Sequence, residues 1–406
     1  MYNSSFKYYA KALLGRRNGM WYFDKLQRAY PKMDQKLVGE LLRLTDTDFL
    51  NNATLPKRDN LQPNPLYEIG KHLRDKCLSE FENKFLNNPV KVFIHLPPAS
   101  ISPAGNSLFF NMGESFKHLG LSVCYFWDSL SELKFEKSKT NLILTSFDEI
   151  YRTKIDWKWI SELQKQIKLH VGSTCPINQN SLQEISRDLE LWLDSDSRFF
   201  YSFFNEKFVG DTAIGKYALS RNKKIYSMEF GANPLYHFPN KYINHLADYI
   251  FLGSANYDKI ERYYQYFLNV FKQFKGIVAG PGWDWISNYE IRPDRDRFMY
   301  SKAKVGINLH IDMQIAYPSE LNERTYILAA CGIPQVVDKP LLIDSHFDKG
   351  IHIADGPVEY FDSIKNVLEN YDEALQEAEH AMRQVFEKHT TFLRAENFFR
   401  NISNQF

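Results

Sequence analysis

Net charge is the first thing this sequence lacks: 50 Lys and Arg against 49 Asp and Glu leave +1 at pH 7 across 406 residues. No global field therefore recruits nucleic acid or an anionic membrane, and any such partner has to be read locally. Cysteine is scarce as well. Cys77, Cys124, Cys175 and Cys331 form no Cys-x-x-Cys pair and lie far apart, which leaves neither a disulfide framework nor a zinc site and fits reduced thiols in a cytosolic protein. No apolar run approaches the roughly twenty residues of a membrane span, and the N-terminus has no secretory h-region, so a cytoplasmic protein is expected. HExxH, P-loop and GxSxG motifs are all missing, which argues against zinc proteolysis, P-loop phosphoryl transfer and a serine-hydrolase elbow. Internal repeats and low-complexity segments are absent too.

What is present is ordinary globular composition, 44% apolar and 24% charged, over a length that accommodates two domains with full cores. Aromatics reach 15%, with 31 Phe and 24 Tyr, and must line cores or clefts; a sugar-facing groove is one use for them.

The organising stretch is Ser319 to Pro340. Glu320, Leu321, Asn322 and Glu323 read as the polar start of a helix, Tyr326 to Ala330 as its apolar body, and Cys331-Gly332 as its stop. Gln335-Val336-Val337 is a short buried strand that ends at Asp338. An upstream strand, Val305 to His310, completes a βαβ unit whose polar residues fall in the loop and first helical turn, where an open parallel sheet binds ligands.

Asn322-Glu323-Arg324, an aromatic, an apolar run and Ala-Cys-Gly together resemble the donor-binding signature of GT-B glycosyltransferases, in the branch related to the spore-maturation protein CgeB and the group 1 enzymes. The resemblance implies two Rossmann-like α/β domains facing a cleft, the second binding a nucleotide-sugar. In that branch a Glu in the helix holds the ribose; the corresponding residue here is Ile327, which leaves Glu320 or Glu323 to replace it, or a donor held differently.

Taken in order, residues 1 to 23 carry Lys7, Lys11, Arg16 and Arg17 with no acid before Asp24, interleaved with Phe6, Tyr9, Leu13 and Leu14 at helical spacing. Such a helix either packs on the domain or rests on a membrane surface through residues 1–17. A helical N-terminal extension is expected over 1–88. A Rossmann-like acceptor domain follows over 89–240: a strand from Val90 to Leu96, a Gly/Ser/Pro loop from Ala99 to Ser107, a helix from Leu108 to Leu119 and a strand from Leu121 to Trp127. Further strands are expected at Asn141 to Ser146, Ile167 to Val171 and Ile225 to Glu229. The loop has no GxGxxG, so dinucleotide binding is not expected. The donor domain is placed at 241–388, with strands at Tyr249 to Ser254, Gly276 to Ala279 and Ile351 to Ala354. A helix starts at Pro357 and keeps its period through Val358, Phe361, Ile364, Leu368, Tyr371 and Leu375. Residues 389–406 are expected to pack back on the first domain, as the resemblance implies.

Glycosyl transfer needs stabilisation of the departing phosphate, orientation of the sugar and placement of the acceptor oxygen. Gly253, Ser254, Lys259, Arg262 and Arg324 are the phosphate candidates, because a strand delivering Gly-Ser to a helix exposes backbone N–H groups beside the cations. The Gly280-Pro281-Gly282 turn is placed at the base by the resemblance, and glycine there permits close approach. Glu320, Asn322 and Glu323 are candidates for sugar or ribose hydroxyls, although acids in a first turn are also favoured by the helix dipole alone. His95, at the end of the first strand, and Glu323 are the catalytic candidates. His310 ends the strand before the motif and joins the donor set. Pro103, Gly105 and Asn106 form the acceptor-side loop.

Asp46-Thr47-Asp48, Asp194-Ser195-Asp196 and Asp294-Arg295-Asp296 match the Asp-x-Asp metal pattern, but none follows a convincing strand, so neither a metal nor a cofactor is expected beyond the nucleotide-sugar co-substrate. The expectation is therefore a metal-independent, nucleotide-sugar-dependent glycosyltransferase of cell-surface polysaccharide synthesis. Its acceptor would be a glycan or lipid-linked glycan, with no nucleic acid partner. The alternatives are a non-catalytic GT-B scaffold or binding subunit and a nucleotide-sugar epimerase of the same fold.

Overall fold

The computed structural model describes residues 61–128, 130, 133–175, 177, 187–254, 259–280 and 293–404. The basic stretch over 1–23, Pro281 and Gly282 lie outside them.

Chain order begins with β1 (Gln62–Pro63), α1 (Tyr67–Phe81), β2 (Val90–His95), α2 (Pro103–His118), β3 (Ser122–Phe126) and β4 (Thr140–Ser146). There follow α3 (Glu149–Arg152), α4 (Trp157–Gln164), β5 (Leu169–Thr174), α5 (Arg187–Leu193), β6 (Arg198–Ser202), α6 (Glu206–Asp211), α7 (Ala213–Ser220) and β7 (Tyr226–Ser227). The second half holds β8 (Tyr242–Ile243), β9 (Ala247–Leu252), α8 (Ile260–Gln273), β10 (Gly276–Ala279), α9 (Pro293–Tyr300), β11 (Ala303–Asn308), α10 (Asp312–Ala316) and α11 (Glu323–Ala330). It ends with β12 (Gln335–Val337), α12 (Ile343–His346), β13 (His352–Ile353), α13 (Pro357–Glu369), α14 (Tyr371–Lys388) and α15 (Thr391–Ser403).

Two compact units emerge. The amino-terminal unit comprises 75–235, 317–321 and 388–406; the carboxy-terminal unit takes in 236–316 and 322–387 together with the described residues before 75. In the first, six parallel strands run in the order β3-β2-β4-β5-β6-β7. In the second, five parallel strands run β10-β9-β11-β12-β13. Counted within each unit, both orders begin 2-1-3-4-5, the doubly wound arrangement whose connections diverge at a switch point beside the first strand. Those points fall between β2 and β4 and between β9 and β11.

Period-2 alternation explains both faces of the second sheet. Tyr249 and Phe251 of β9 pack with Val305 and Ile307 of β11 under Tyr263, Phe267 and Phe271 of α8 and Tyr360, Ile364 and Val367 of α13. Ile250 and Leu252 turn the other way, to Ile327 and Leu328 of α11, Cys331 just after it, and Met299 and Tyr300 of α9. In the first sheet, Phe93, Ile143, Val171 and Phe200 lie in one core with Ile160 of α4, Trp192 of α5 and Ile214 of α7. α15 packs with α2 within the amino-terminal unit: Phe398 and Phe399 lie 6.3 and 6.1 Å from Phe116, and Ser115 Oγ donates to Thr391 Oγ1 at 2.8 Å.

Several sequence expectations shift for local reasons. The helix expected from Leu108 begins at Pro103, because Ser102 accepts from the Gly105 N–H and proline suits the first helical position. Pro103, Gly105 and Asn106 are therefore the first turn of α2, not a loop. The helix expected from Glu320 begins at Glu323, since the Asn322 side chain caps the Thr325 N–H, and it stops at Gly332 with φ +66°. The Pro357 helix breaks at Asn370, and Val358, expected on its core face, is 76% exposed. Strand β6 went unread in an aromatic run. The strand expected over Ile225 to Glu229 shrinks to the two residues of β7.

Candidate functional site

At the carboxyl edge of the second sheet, the ends of β9, β11 and β12 and the first turns of α8 and α11 converge on one polar network. Asp338, directly after β12 and 1% exposed, is its centre. One carboxylate oxygen accepts from Arg262 Nη2 at 2.5 Å, the other pairs with His310 Nδ1 at 2.6 Å, and the His310 backbone N–H reaches both oxygens at 3.1 and 2.9 Å. His310 Nε2 meets Thr325 Oγ1 at 3.1 Å. Burial alone would raise the Asp338 pKa, but the His310 bonds and the Arg262 guanidinium outweigh it and hold the carboxyl below its ordinary value. Burial lowers the fully enclosed His310 despite Asp338 beside it. The consistent assignment is an ionised Asp338 and a neutral imidazole that donates from Nδ1 and accepts the Thr325 hydroxyl at Nε2.

A second set of bonds fixes the start of α11 to β11. Asn308 and Asn322 exchange amide bonds at 3.0 and 2.9 Å, and Asn308 Nδ2 also donates to Thr325 Oγ1 at 2.9 Å. Arg324 lies across the switch point: Nε donates to the Leu252 carbonyl at 2.6 Å, Nη1 donates to Asn308 Oδ1 at 2.8 Å, and the guanidinium covers the Phe251 ring at 4.2 Å. Gly253 makes this possible, since a Cβ there would stand 1.9 Å from Arg324 Nη2. Lys259 precedes α8, is 8% exposed, and aims its ammonium at the Leu309 carbonyl, 3.4 Å away. Tyr360 holds β11 from behind, donating to the Asn308 carbonyl at 3.1 Å.

The structure thus gathers Gly253, Ser254, Lys259, Arg262, His310, Asn322, Glu323 and Arg324 at one edge. Gly280 ends β10 with φ +124°, the left-handed region its turn needs glycine for. Glu320 falls with residues 317–321, which cluster with the amino-terminal unit. Ile327 lies in the apolar core between α11 and the sheet, so the absent glutamate has no polar substitute at that position. Asn308, Thr325, Tyr360 and Asp338 were missed; only Asp338, a lone acid closing an apolar strand, carried a visible signal.

In the amino-terminal unit, His95 is wholly buried. Nδ1 meets Thr145 Oγ1 at 2.8 Å, Nε2 meets the Trp127 carbonyl at 3.0 Å, and the ring stacks on Phe126 at 4.6 Å. Burial, partly offset by that carbonyl, lowers its pKa from 6.5 to about 4. With both nitrogens engaged inside the protein, His95 has the geometry of a packed core histidine and not that of a base. Asp194 and Asp196 are spent in surface ion pairs with Arg221 and Lys223, at 2.7 and 2.8 Å. Among the described residues no group of three or more His, Cys, Asp or Glu side chains could hold a metal ion, and no helix is long and apolar enough to cross a membrane.

Two doubly wound parallel-sheet units in one chain define the GT-B fold. T4 phage BGT in complex with UDP and Mn2+ superposes with a TM-score of 0.50 at 10% identity, over 78% of this chain and 99% of that one. An alpha-glucosyltransferase in complex with UDP-glucose and DNA containing an abasic site gives 0.50 at 13%, over 77% and 99%. At such identities the likeness is one of fold. Residues 262–400, which contain α11 and Asp338, match the family described as "Glycosyl transferase-like", so this chain carries a glycosyl transferase-like domain of GT-B type. No curated protein matches the chain by sequence.

Proposed function

We propose that the protein transfers a sugar from a nucleotide-activated donor, and that the donor's phosphates sit at the carboxyl edge of the second sheet. The observation that carries this is Arg324, inside the segment 262–400 that matches a glycosyl transferase-like family, lying across the switch point between β9 and β11. Departure of a nucleoside diphosphate builds negative charge that fixed cations and backbone N–H groups stabilise without reorganising. Lys259, Arg262 and Arg324 are the cations for this role, with the backbone of Gly253 and Ser254; Arg262 is held by Asp338, Arg324 by Asn308 and the Leu252 carbonyl, and Lys259 by the Leu309 carbonyl. Glu323 is assigned to ribose or sugar hydroxyls in place of the acid that Ile327 replaces, while the Asn322 amide is taken up by Asn308, the Leu309 carbonyl and the Thr325 N–H and positions the start of α11. The acceptor is read as a cell-surface glycan, and transfer as metal-independent.

The test is thermal melting of the purified chain with UDP, GDP, CDP and dTDP and their glucose conjugates, each with Mn2+ and with EDTA. A ligand at a hundred times its Kd adds about 2.7 kcal/mol. One nucleotide is expected to stabilise the parent in EDTA and to lose most of that effect in Lys259→Ala. A panel in which no nucleotide shifts the transition would overturn the donor site, and a shift only with Mn2+ would overturn metal independence.

A further inference from the structure

We infer that His310, with the Thr325 hydroxyl, is a proton site that fills when a diphosphate occupies the carboxyl edge of the second sheet, so that the protein adds positive charge there as the sugar departs; this rests on the donor reading. The hydrogen bonds around the ring are complete in either charge state. In the neutral state Nδ1–H donates to Asp338 Oδ1 at 2.6 Å and Nε2 accepts the Thr325 hydroxyl at 3.1 Å. In the charged state Nδ1–H keeps Asp338, and the new Nε2–H donates to Thr325 Oγ1. That hydroxyl has another acceptor in place, Asn322 Oδ1 at 3.1 Å, and its second lone pair still takes Asn308 Nδ2 at 2.9 Å. One proton from solvent joins the Nε2 lone pair and one hydroxyl rotates. A buried polar group costs most when a bond is left unmade, and neither state leaves one on the ring.

Charge supplies the drive. The charged groups that act on the ring are Asp338 after β12, Lys259 just before α8 and Arg324 of α11. Burial is the first cause that keeps His310 neutral, Asp338 opposes it, and Lys259 and Arg324 push the same way as burial. Arg262 and Asp312 lie one contact further out: Arg262 Nη2 pairs with Asp338 at 2.5 Å and Nη1 faces Asp312 at 3.8 Å. Tyr360 reaches the strand backbone, not the ring. Lys259 and Arg324 are also cations proposed for the phosphates. A bound diphosphate therefore offsets the two charges that oppose protonation, while Asp338, which favours it, stays in place. Transfer strengthens the effect, because the terminal phosphate carries about two negative charges once the sugar has gone and about one while it is esterified. His310 is fully enclosed, so it acts through charge and not through contact, as a positioning residue.

Imidazole NMR shifts of the full chain, with ring-labelled histidine, read the charge directly, and the His310→Gln spectrum identifies the signal among the 11 histidines. The diphosphate used is UDP, GDP, CDP or dTDP, whichever raises the melting transition most. In titrations from pH 8 to pH 5 it is expected to raise the His310 midpoint by about one pH unit or more. Inorganic pyrophosphate, a probe without a base, is expected to move the midpoint the same way, and the glucose conjugate to move it less. Thr325→Val keeps the shape but removes the hydroxyl that must accept Nε2–H, so the rise is expected to vanish there and to return in Thr325→Ser. A midpoint left in place by a diphosphate that raises melting, or a rise that Thr325→Val keeps, overturns the inference and spares the donor reading. A panel that moves neither melting nor midpoint overturns both. The parent titration decides alone if Thr325→Val does not fold.

Discussion

At the carboxyl edge of the second sheet, side chains meet through ion pairs and amide bonds around Asp338; at the corresponding edge of the first sheet, they meet ring to ring around Tyr151. The strand orders are alike, so topology did not impose the difference. It comes from which residue closes each strand: Asn308 at the end of β11 and Asp338 after β12, but Trp127 and Phe203 after β3 and β6. One edge is built to hold charge in place, the other to offer flat apolar surface. The same scaffold thus carries two kinds of side-chain contact, each written in a handful of residues at the ends of the strands.

The contrast breaks most sharply at Asp338. Asp338→Ala leaves the buried His310 and the half-buried Arg262 without their carboxylate, and a loss of about 3 kcal/mol is expected in urea unfolding, with nucleotide stabilisation abolished. A variant as stable as the parent would show the network to be dispensable. Next comes acid. His95 has a folded pKa near 4 against an ordinary 6.5, so the folded chain binds fewer protons than the unfolded chain between those values. Its contribution is full above about pH 6.5 and is lost as pH falls to about 4, which amounts to about 3 kcal/mol at most. His237 and His245 of the carboxy-terminal unit, lowered to about 3 and about 4 by burial, add in the same direction. Replacing His95 by Gln is expected to flatten its share of the decline in a series of melts from pH 7 to pH 4.5.

Two glycines sharpen the comparison at smaller scale. Gly253→Ala places a methyl against Arg324, so about 1–3 kcal/mol of stability and at least tenfold in nucleotide affinity should go together. Gly105→Ala meets Tyr151 Oη at 2.4 Å in the other unit. There a loss of about 1 kcal/mol is expected with nucleotide affinity unchanged, checked by titrating UDP into both variants. Equal effects on nucleotide binding would mean the two edges do not act separately.

Much of the scaffold was readable because it is local. Gln335-Val336-Val337 after Gly332, and the apolar strands at Val90 and Tyr249, announce themselves by run length and glycine or proline punctuation. The cluster of Ser254, Lys259 and Arg324 was readable because each lies just after a strand or in a first helical turn. What escaped was set by partners far along the chain. His95 looked like a base at a strand end until Thr145 and the Trp127 carbonyl were seen to occupy both nitrogens. The Arg262 partner, Asp338, stands 76 residues on and could not be read locally.

The sequence by itself determined a two-part α/β chain, the βαβ unit around Asn322 to Val337, and the absence of the expected acid at Ile327, because helix caps, glycine stops and β-branched runs act over a few residues. Tertiary structure alone decided that Asp338 is the centre of a polar network at the carboxyl edge of the second sheet and that Ile327 belongs to a core. It alone set Trp127, Tyr151, Phe109 and Phe203 ring to ring. Each of these is a contact between separate strand-to-helix connections, and only the pairing order of a parallel sheet brings such connections to one edge.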